Sequence, residues 1–306
     1  MSEPAVSVII PAYNCAELLG EAIASVRAQT YEDYEVIVVD DGSADNTAEV
    51  AEKLAADWPK MRAIRAEHKG LAAARNRAVA EMKGQWIAML DADDLWLPEK
   101  LRRCMDYLAE HPDLSIVYTP MAPITMGGEK IKGHSKPCLA GRLTEELFQS
   151  IFVHDPASVI HKRVIEVCGG FDESLPVTVG HEFWLRVSTR FEFGLIDEPL
   201  ALRRWSEQSL TRRTRSQGRR IKAAMLERFY FERGGDKLVP AGAAMRRLSS
   251  VYFKAGKLLL AEGDPREARR YLVKAVRYRP TNLRAWPALI AAAAASLFAG
   301  TRHEGQ

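Results

Sequence analysis

The sequence contains few cysteines and no long apolar run. Four cysteines lie far apart among the 306 residues, without a CxxC pair, which argues against a zinc-finger protein or a disulfide framework. The apolar runs fall short of the roughly 18 residues of a membrane-spanning helix. The chain also starts without the basic segment and apolar core of a signal peptide. We therefore expect a reduced, cytoplasmic setting, with peripheral contact at the inner face of a membrane left open.

A strong net charge is missing as well. The formal charge of +3 does not indicate a nucleic-acid partner, and 47% hydrophobic with 27% charged residues is ordinary for a globular protein. At 306 residues, the chain is long enough for one large α/β domain and a smaller appendage. Its basic residues are unevenly spread, with a dense run at residues 203–220.

Predicted strands and helices alternate in the first part of the chain. Apolar, β-branched runs predict strands at residues 6–10, 34–39, 61–66 and 86–90, and apolar residues at helical spacing predict helices at residues 17–29, 44–57 and 70–82. This alternation is typical of a mostly parallel, doubly wound α/β sheet. Later segments predict a strand at 115–121, a hairpin at 124–131, helices at 143–152 and 182–190, and a strand at 193–196.

From residue 221 onward the pattern is helical throughout. We therefore expect one domain at residues 1–218 and a helical region at residues 219–306. Apolar and small residues between Tyr252 and Pro280 follow the spacing of a tetratricopeptide-type helix pair, in which Asp264 and Pro265 begin the second helix. One such unit cannot form a solenoid, so we expect a helical appendage.

Two predicted strands end in carboxylates. One is followed by Asp40, Asp41 and a Gly-Ser turn, and the other by Asp91, Ala92, Asp93 and Asp94. Ligands of open α/β sheets bind at the carboxyl ends of strands. Two carboxylates 4 Å apart repel by about 4 kcal/mol at an effective dielectric of about 20, so a cation should offset them. A divalent ion carrying substrate phosphates fits this need, while a solvated acidic turn with Asp94 as a helix cap is the alternative.

With these motifs in place, the chain resembles a family 2 glycosyltransferase of the GT-A fold. The resemblance covers about the first 215 residues. It is carried by residues 6–14, 25–31, 40–43, 70–76 and 90–94, and more weakly by residues 169–173, 183–186 and 208–211. Each motif alone is weak, but the ordered set is specific.

The resemblance implies a nucleotide-sugar site at the strand ends. Pro11, Ala12 and Tyr13 would line the nucleotide pocket, and Asp41 would face the base, uracil or another pyrimidine. Asp91, followed by Ala92, would approach the ribose. Asp93 would hold Mn²⁺ or Mg²⁺ bound to the donor diphosphate. As alternatives, Tyr13 is a packing residue and Asp40 only braces its turn.

Several basic residues are candidates for phosphate binding. Lys69 and Arg75 lie between the two acidic turns in the sequence, although Arg75 is about as suited to pair with Asp40 or Asp93. In the basic run, Arg203 and Arg204 are expected in a mobile loop that closes over the diphosphate. Contact with an anionic membrane surface that carries a lipid-linked acceptor, or a solvated linker, are the alternatives for the rest of the run.

The acceptor side departs from the family pattern. Enzymes of this family invert the anomeric centre with a carboxylate base, the Asp of a Glu-Asp pair six residues before the Arg of a Trp-Leu-Arg segment. Here that position is Gly180. His181 and Glu182 are the nearest substitutes, although Glu182 also matches the polar residue that follows the pair. A second departure is Ser206, where relatives often carry His.

The resulting expectation is an inverting glycosyltransferase of polysaccharide or glycoconjugate biosynthesis. It would move a sugar from a nucleoside-diphosphate sugar, a UDP-sugar above all, to a saccharide or lipid-linked acceptor. The alternative is a weakly active or inactive member that binds a nucleotide sugar or a protein partner. A nucleotidyltransferase is disfavoured because no Gly-rich phosphate loop follows the first strand.

Overall fold

Ten strands and eleven α-helices are assigned in a computed structural model that describes residues 3–131, 138–205 and 214–300. The strands are β1 (Val6–Ala12), β2 (Tyr34–Asp40), β3 (Met61–Arg65), β4 (Trp86–Met89), β5 (Leu95–Trp96), β6 (Ile116–Tyr118), β7 (Met121–Ile124), β8 (Ser158–His161), β9 (Gly194–Leu195) and β10 (Ala201–Arg204). The helices are α1 (Ala16–Arg27), α2 (Thr47–Ala56), α3 (Leu71–Glu81), α4 (Lys100–Glu110), α5 (Thr144–Gln149), α6 (Arg163–Cys168), α7 (Val179–Val187), α8 (Arg215–Glu232), α9 (Ala241–Ala261), α10 (Pro265–Tyr278) and α11 (Ala285–Gly300).

The larger sheet has seven strands within the described ranges, in the order β3-β2-β1-β4-β8-β6-β9. Strands β3, β2, β1 and β4 are parallel, whereas β8 runs antiparallel to both of its neighbours. Every residue of β1 and β2 is buried, which explains why both sequences are mostly apolar. The predicted mostly parallel α/β sheet is therefore confirmed.

A smaller sheet forms beside the carboxyl end of β4. Its order is β5-β10-β7, with β10 antiparallel to β5 and parallel to β7. The single strand predicted at residues 115–121 is wrong, because β6 and β7 belong to different sheets. Pro120 lies between them and has no N–H to continue a ladder. The predicted turn at Gly127 and Gly128 is confirmed, and Ile124 and Lys130 face each other across it.

The chain divides into two compact units. The first comprises residues 1–143 and 151–207, and the second comprises residues 144–150 and 208–306. The second unit thus includes α5, a short segment that lies far from the C-terminal helices in the sequence. The predicted boundary after residue 218 falls inside α8.

The second unit contains the predicted helix pair, formed by α9 and α10. Asp264 caps α10 by accepting the N–H of Glu267 at 3.0 Å, and α10 ends at Tyr278, before Pro280. A Cβ at Gly256 would lie 2.7 Å from Leu272 Cγ, so glycine permits the close approach of the two helices. Among the helices of the described ranges, none is both long and apolar enough to cross a membrane.

Candidate nucleotide-sugar site

The carboxyl ends of β2, β1 and β4 form one edge of the larger sheet. In the parallel register, Ala12 is the partner of Asp40 and Ile9 is the partner of Met89. Beyond the ladders, Asp41 N–H donates to Ala12 O at 2.9 Å. This arrangement brings together the end of β1, the neighbouring loops and the first half of α3. These segments carry most of the predicted donor-site residues, which are Pro11, Ala12, Tyr13, Asp41, Lys69, Arg75, Asp91, Ala92 and Asp93.

Tyr13 and His68 form a stacked aromatic pair at this edge. Their ring centroids are 4.2 Å apart and their planes differ by 18°. Tyr13 is 47% exposed, so it is not the buried packing residue of the alternative interpretation. The sequence interpretation missed His68, because nothing in its local pattern shows that the loop before α3 returns to Tyr13.

Asp41 fixes the loop that carries His68. Its Oδ1 accepts the N–H of Lys69 and its Oδ2 accepts the N–H of Gly70, both at 2.9 Å. His68 Nδ1 also lies 2.8 Å from Asp41 Oδ2. Asp41 is buried while the side chains of His68 and Lys69 remain exposed. The carboxylate thus holds one wall of the site through both of its oxygens.

The acidic segment after β4 carries crowded negative charge. Asp93 is accessible to solvent, yet the surrounding protein limits its hydration, and this effect together with the charge of Asp91 raises its pKa. Burial, followed by the charges of Asp91 and Asp93, raises the pKa of Asp94 well above its usual value. The charges of Arg203 and Arg204 oppose the rise for Asp93.

Asp94 does not cap a helix, contrary to the alternative interpretation of this segment. Its Oδ1 accepts the backbone N–H of Arg204 at 3.0 Å and so joins the acidic segment to β10. The next helix, α4, begins only at Lys100.

Arg75 links two carboxylates beneath the site. Its Nη2 donates to Asp91 Oδ1 at 2.7 Å and its Nη1 donates to Asp155 Oδ2 at 2.6 Å. The side chain is 1% exposed, so it is not available to a phosphate in this arrangement. Arg75 therefore does pair with carboxylates, as the alternative interpretation expected. Its partners, however, are Asp91 and Asp155 and not Asp40 or Asp93.

Asp155 is a buried site residue that the sequence interpretation missed. It belongs to a 3-10 turn at Asp155–Ala157, immediately before β8. Besides Arg75, it binds Trp184, whose Nε1 donates to Asp155 Oδ1 at 2.7 Å. A loop was the only feature that the local sequence predicted here, because the partners of Asp155 lie 80 and 29 positions away.

The predicted acceptor-side residues lie in the first turn of α7. Glu182 Oε1 and Oε2 accept from Arg186 Nε and Nη2 at 3.0 and 2.9 Å, and the Glu182 side chain is only 5% exposed. Arg186 also donates to the carbonyls of Cys168, Gly169 and Gly170. This geometry favours Glu182 as the polar residue that holds Arg186; a base role for Glu182 or for the buried His181 stays a prediction.

Arg203 and Arg204 lie in a strand, so the expectation of a mobile loop at these two residues is wrong. They are part of β10, which pairs with β5 and β7. Arg204 Nη2 donates to Glu21 at 2.5 Å and its Nη1 to Met126 O at 2.8 Å, with 2% of its side chain exposed. These bonds withdraw the Arg204 guanidinium from phosphate binding. Ser206, residues 208–211, Arg212 and Arg213 lie outside the described residues.

A comparison with protein families identifies the family of this chain. The profile described as "Glycosyl transferase family 2" matches residues 7–169. The chain belongs to glycosyl transferase family 2. The predicted family, the GT-A fold and the transferase class are thereby confirmed.

Relatives of known name are longer proteins. Chondroitin synthase of Escherichia coli is 32% identical over 186 residues, which is 60% of this chain and 26% of that protein. Hyaluronan synthase of Pasteurella multocida is 33% identical over 186 residues, again 60% of this chain and 19% of that protein. The matched part of the family 2 chain therefore spans about a quarter or less of these relatives.

Solved structures share the fold at low sequence identity. Residues 1–349 of S. aureus TarS, in complex with UDP-GlcNAc, superpose with a TM-score of 0.61 at 18% identity, covering 89% of this chain and 88% of that one. The mannosyltransferase PcManGT from Pyrobaculum calidifontis, in complex with GDP-Man and Mn²⁺, superposes with a TM-score of 0.57 at 20% identity. The match covers 97% of this chain and 88% of that one.

Proposed function

We propose that the chain is an inverting glycosyltransferase that moves a sugar from a nucleoside-diphosphate sugar to a saccharide or lipid-linked acceptor. The observation that carries the proposal is the convergence of three features at one sheet edge. These are the stacked Tyr13–His68 pair, the loop held by Asp41, and the acidic segment of Asp91 and Asp93. Membership in family 2 supports the same reaction.

The exposed Tyr13–His68 pair offers a flat apolar surface for a nucleobase. Stacking of a base on an aromatic side chain contributes about 1–3 kcal/mol and tolerates different bases. Asp41 and the exposed Lys69 border this surface and would contact the base and the phosphates respectively. Because TarS binds UDP-GlcNAc and PcManGT binds GDP-Man, UDP- and GDP-sugars are the donors to test.

The acidic segment fits a divalent cation that arrives with the donor. Within residues 3–131, 138–205 and 214–300, no group of three or more His, Cys, Asp or Glu side chains forms a complete metal site. An incomplete protein ligand set suits Mg²⁺ or Mn²⁺ shared with substrate phosphates, which supply the remaining oxygens. Asp93 would hold the ion, and Asp91 would contact the ribose. When bound, the ion would stabilise the charge that develops on the departing diphosphate.

One observation favours a second candidate function, a nucleotide-sugar-binding protein without transfer. Position 180, where the family pattern places its base, is a glycine. Such a protein would bind the donor but release no nucleoside diphosphate when an acceptor is added.

Turnover discriminates between the two. The protein is incubated with UDP- and GDP-sugars, Mn²⁺ and an acceptor panel that includes chondroitin and hyaluronan oligosaccharides and a lipid-linked saccharide. Acceptor-dependent release of nucleoside diphosphate, with an inverted anomer by NMR, is the expected result. Asp93→Asn should abolish it, whereas Asp57→Asn, which neutralises an exposed carboxylate at the end of α2, should not. Donor binding without release would support the second candidate.

A further inference from the structure

The carboxylate of Asp155 lies in the space that a side chain at position 180 would enter. A Cβ built on Gly180 would be 2.5 Å from Asp155 Oδ2 and 3.0 Å from Asp155 Oδ1. Contacts that short do not occur, so an aspartate at 180 and the present position of Asp155 exclude each other. The Asp155 carboxylate, from the turn before β8, therefore occupies space beside α7 that a side chain at position 180 would need.

The topology also places Asp155 at the edge that carries the donor site. Strand β8 runs antiparallel to β4, with Val159 opposite Ala88. Residues just before β8 therefore lie beyond the carboxyl end of β4, where Asp91 follows. Arg75 joins the two carboxylates directly, at 2.7 Å from Asp91 and 2.6 Å from Asp155.

We propose that Asp155 is the general base of the transfer reaction, taking the role that Gly180 cannot fill. The inference rests on the proposed function. An Asp155 oxygen would accept the proton of the acceptor hydroxyl while that oxygen forms a bond to the anomeric carbon. The bond from the anomeric carbon to the diphosphate breaks with its electron pair on the leaving oxygen. The products are the inverted glycoside, the nucleoside diphosphate and protonated Asp155, which then releases its proton to water.

The surroundings of Asp155 suit a base that must be held in position. Trp184 binds one carboxylate oxygen and Arg75 the other, and each oxygen keeps a second acceptor position for a hydroxyl. The side chain is 11% exposed, so it is enclosed but not sealed. Burial raises the pKa of Asp155 against the opposing charge of Arg75, and a raised pKa makes a carboxylate a stronger base.

The first test separates base chemistry from structural support. With the donor sugar that wild type turns over, Asp155→Asn should lower kcat by about 10²–10⁴-fold. The Kd for the donor, measured by calorimetry, should stay within about threefold, since Arg75 and Asp91 remain. The limb of the kcat–pH profile that rises with pH should also disappear. An unchanged kcat, or a loss confined to donor affinity, would overturn the proposal.

The second test moves the carboxylate back to α7. The double variant Asp155→Ala/Gly180→Asp should have a kcat at least tenfold higher than that of Asp155→Ala alone, because the space freed by the alanine accepts the new side chain. Asp155→Ala with Gly180→Ala is the matched control, since it adds the Cβ without the carboxylate. Equal activity of the two double variants, with folding and donor Kd like wild type, would overturn the proposal. A wild type that turns over no donor would instead overturn the proposed function, and the base role with it.

Discussion

Arg75 and Asp155 form a buried ion pair across 80 positions of sequence, with Arg75 Nη1 2.6 Å from Asp155 Oδ2. The same guanidinium binds Asp91, so one cation holds the acceptor-side and donor-side carboxylates together. Burial of a charge is tolerated only when it is paired and hydrogen-bonded, and Arg75 meets both conditions for Asp155.

Removal of this cation should destabilise the protein. Arg75→Met leaves Asp155 buried and unpaired, and we expect the free energy of unfolding at pH 7 to fall by about 3–5 kcal/mol in urea denaturation. Burial already raises the pKa of Asp155, and loss of Arg75 raises it further, so the native state then binds more protons than the unfolded state. The difference in free energy of unfolding between wild type and Arg75→Met should therefore become smaller as the pH falls towards 5.

Arg77→Met is the control for this change. Arg77 lies on the same helix and forms a largely exposed ion pair with Glu81. Its removal should therefore lower the free energy of unfolding by about 0.5 kcal/mol or less. Equal costs for the two variants would contradict the role of Arg75.

The Tyr13–His68 pair predicts a loss of nucleotide affinity on removal of the ring. Tyr13→Ala should weaken UDP binding by about 1–3 kcal/mol, the usual contribution of one stacked base, and Tyr13→Phe should retain it. Calorimetric titration with UDP measures both. Tyr107 offers a matched control, because it also stacks on a histidine, His111, at 4.1 Å. If Tyr107→Ala and Tyr13→Ala weaken UDP binding equally, the nucleobase does not stack on the Tyr13–His68 pair.

Glu182 should affect stability more than transfer. Glu182→Gln replaces a charge-assisted pair with Arg186 by a neutral contact, and we expect a loss of about 1–3 kcal/mol in the free energy of unfolding. Its kcat, measured well below the unfolding transition, should remain within about threefold of wild type. Glu166→Gln, on the exposed surface of α6, should change neither quantity. Loss of transfer at unchanged stability would instead identify Glu182 as the base.

Lys100 predicts a pH-dependent stability away from the site. Its ammonium is buried over the Trp96 ring at 3.9 Å, beside the buried Cys104, and burial lowers its pKa from 10.5 to about 8. Between these values the unfolded state binds more protons, so the Lys100 contribution to stability rises with pH. From pH 7 to 10, wild type should gain up to about 3 kcal/mol relative to Lys100→Met. A constant difference in urea denaturation over this range would contradict the lowered pKa.

Local sequence was sufficient for features that depend on local chemistry. Buried strands such as β1 and β2 are mostly apolar in sequence, and Asp264 with Pro265 begins a helix, as the capping preferences predict. The acidic segment after β4 was placed correctly at a strand end for the same reason, because it follows an apolar run directly.

Contacts between distant segments were beyond local sequence. Gly180 revealed that a carboxylate was missing, but only the fold shows that Asp155 fills the space. Arg204 was expected to bind phosphate, because the basic run gave no sign that Glu21 and Met126 would enclose it. Arginine and aspartate side chains have the same local signature whether they bind a ligand or one another.

Metal-dependent nucleotide binding is the most direct test of the site formed by Asp93 and the Tyr13–His68 pair. Calorimetric titrations of UDP and GDP into wild type and Asp93→Asn are compared with Mn²⁺ and with EDTA. We expect wild type to bind one of the nucleotides at least tenfold more tightly with Mn²⁺, and Asp93→Asn to lose this gain while retaining the metal-free affinity. Equal affinity with and without Mn²⁺ in wild type, or an undiminished gain in Asp93→Asn, would contradict the assignment of the site.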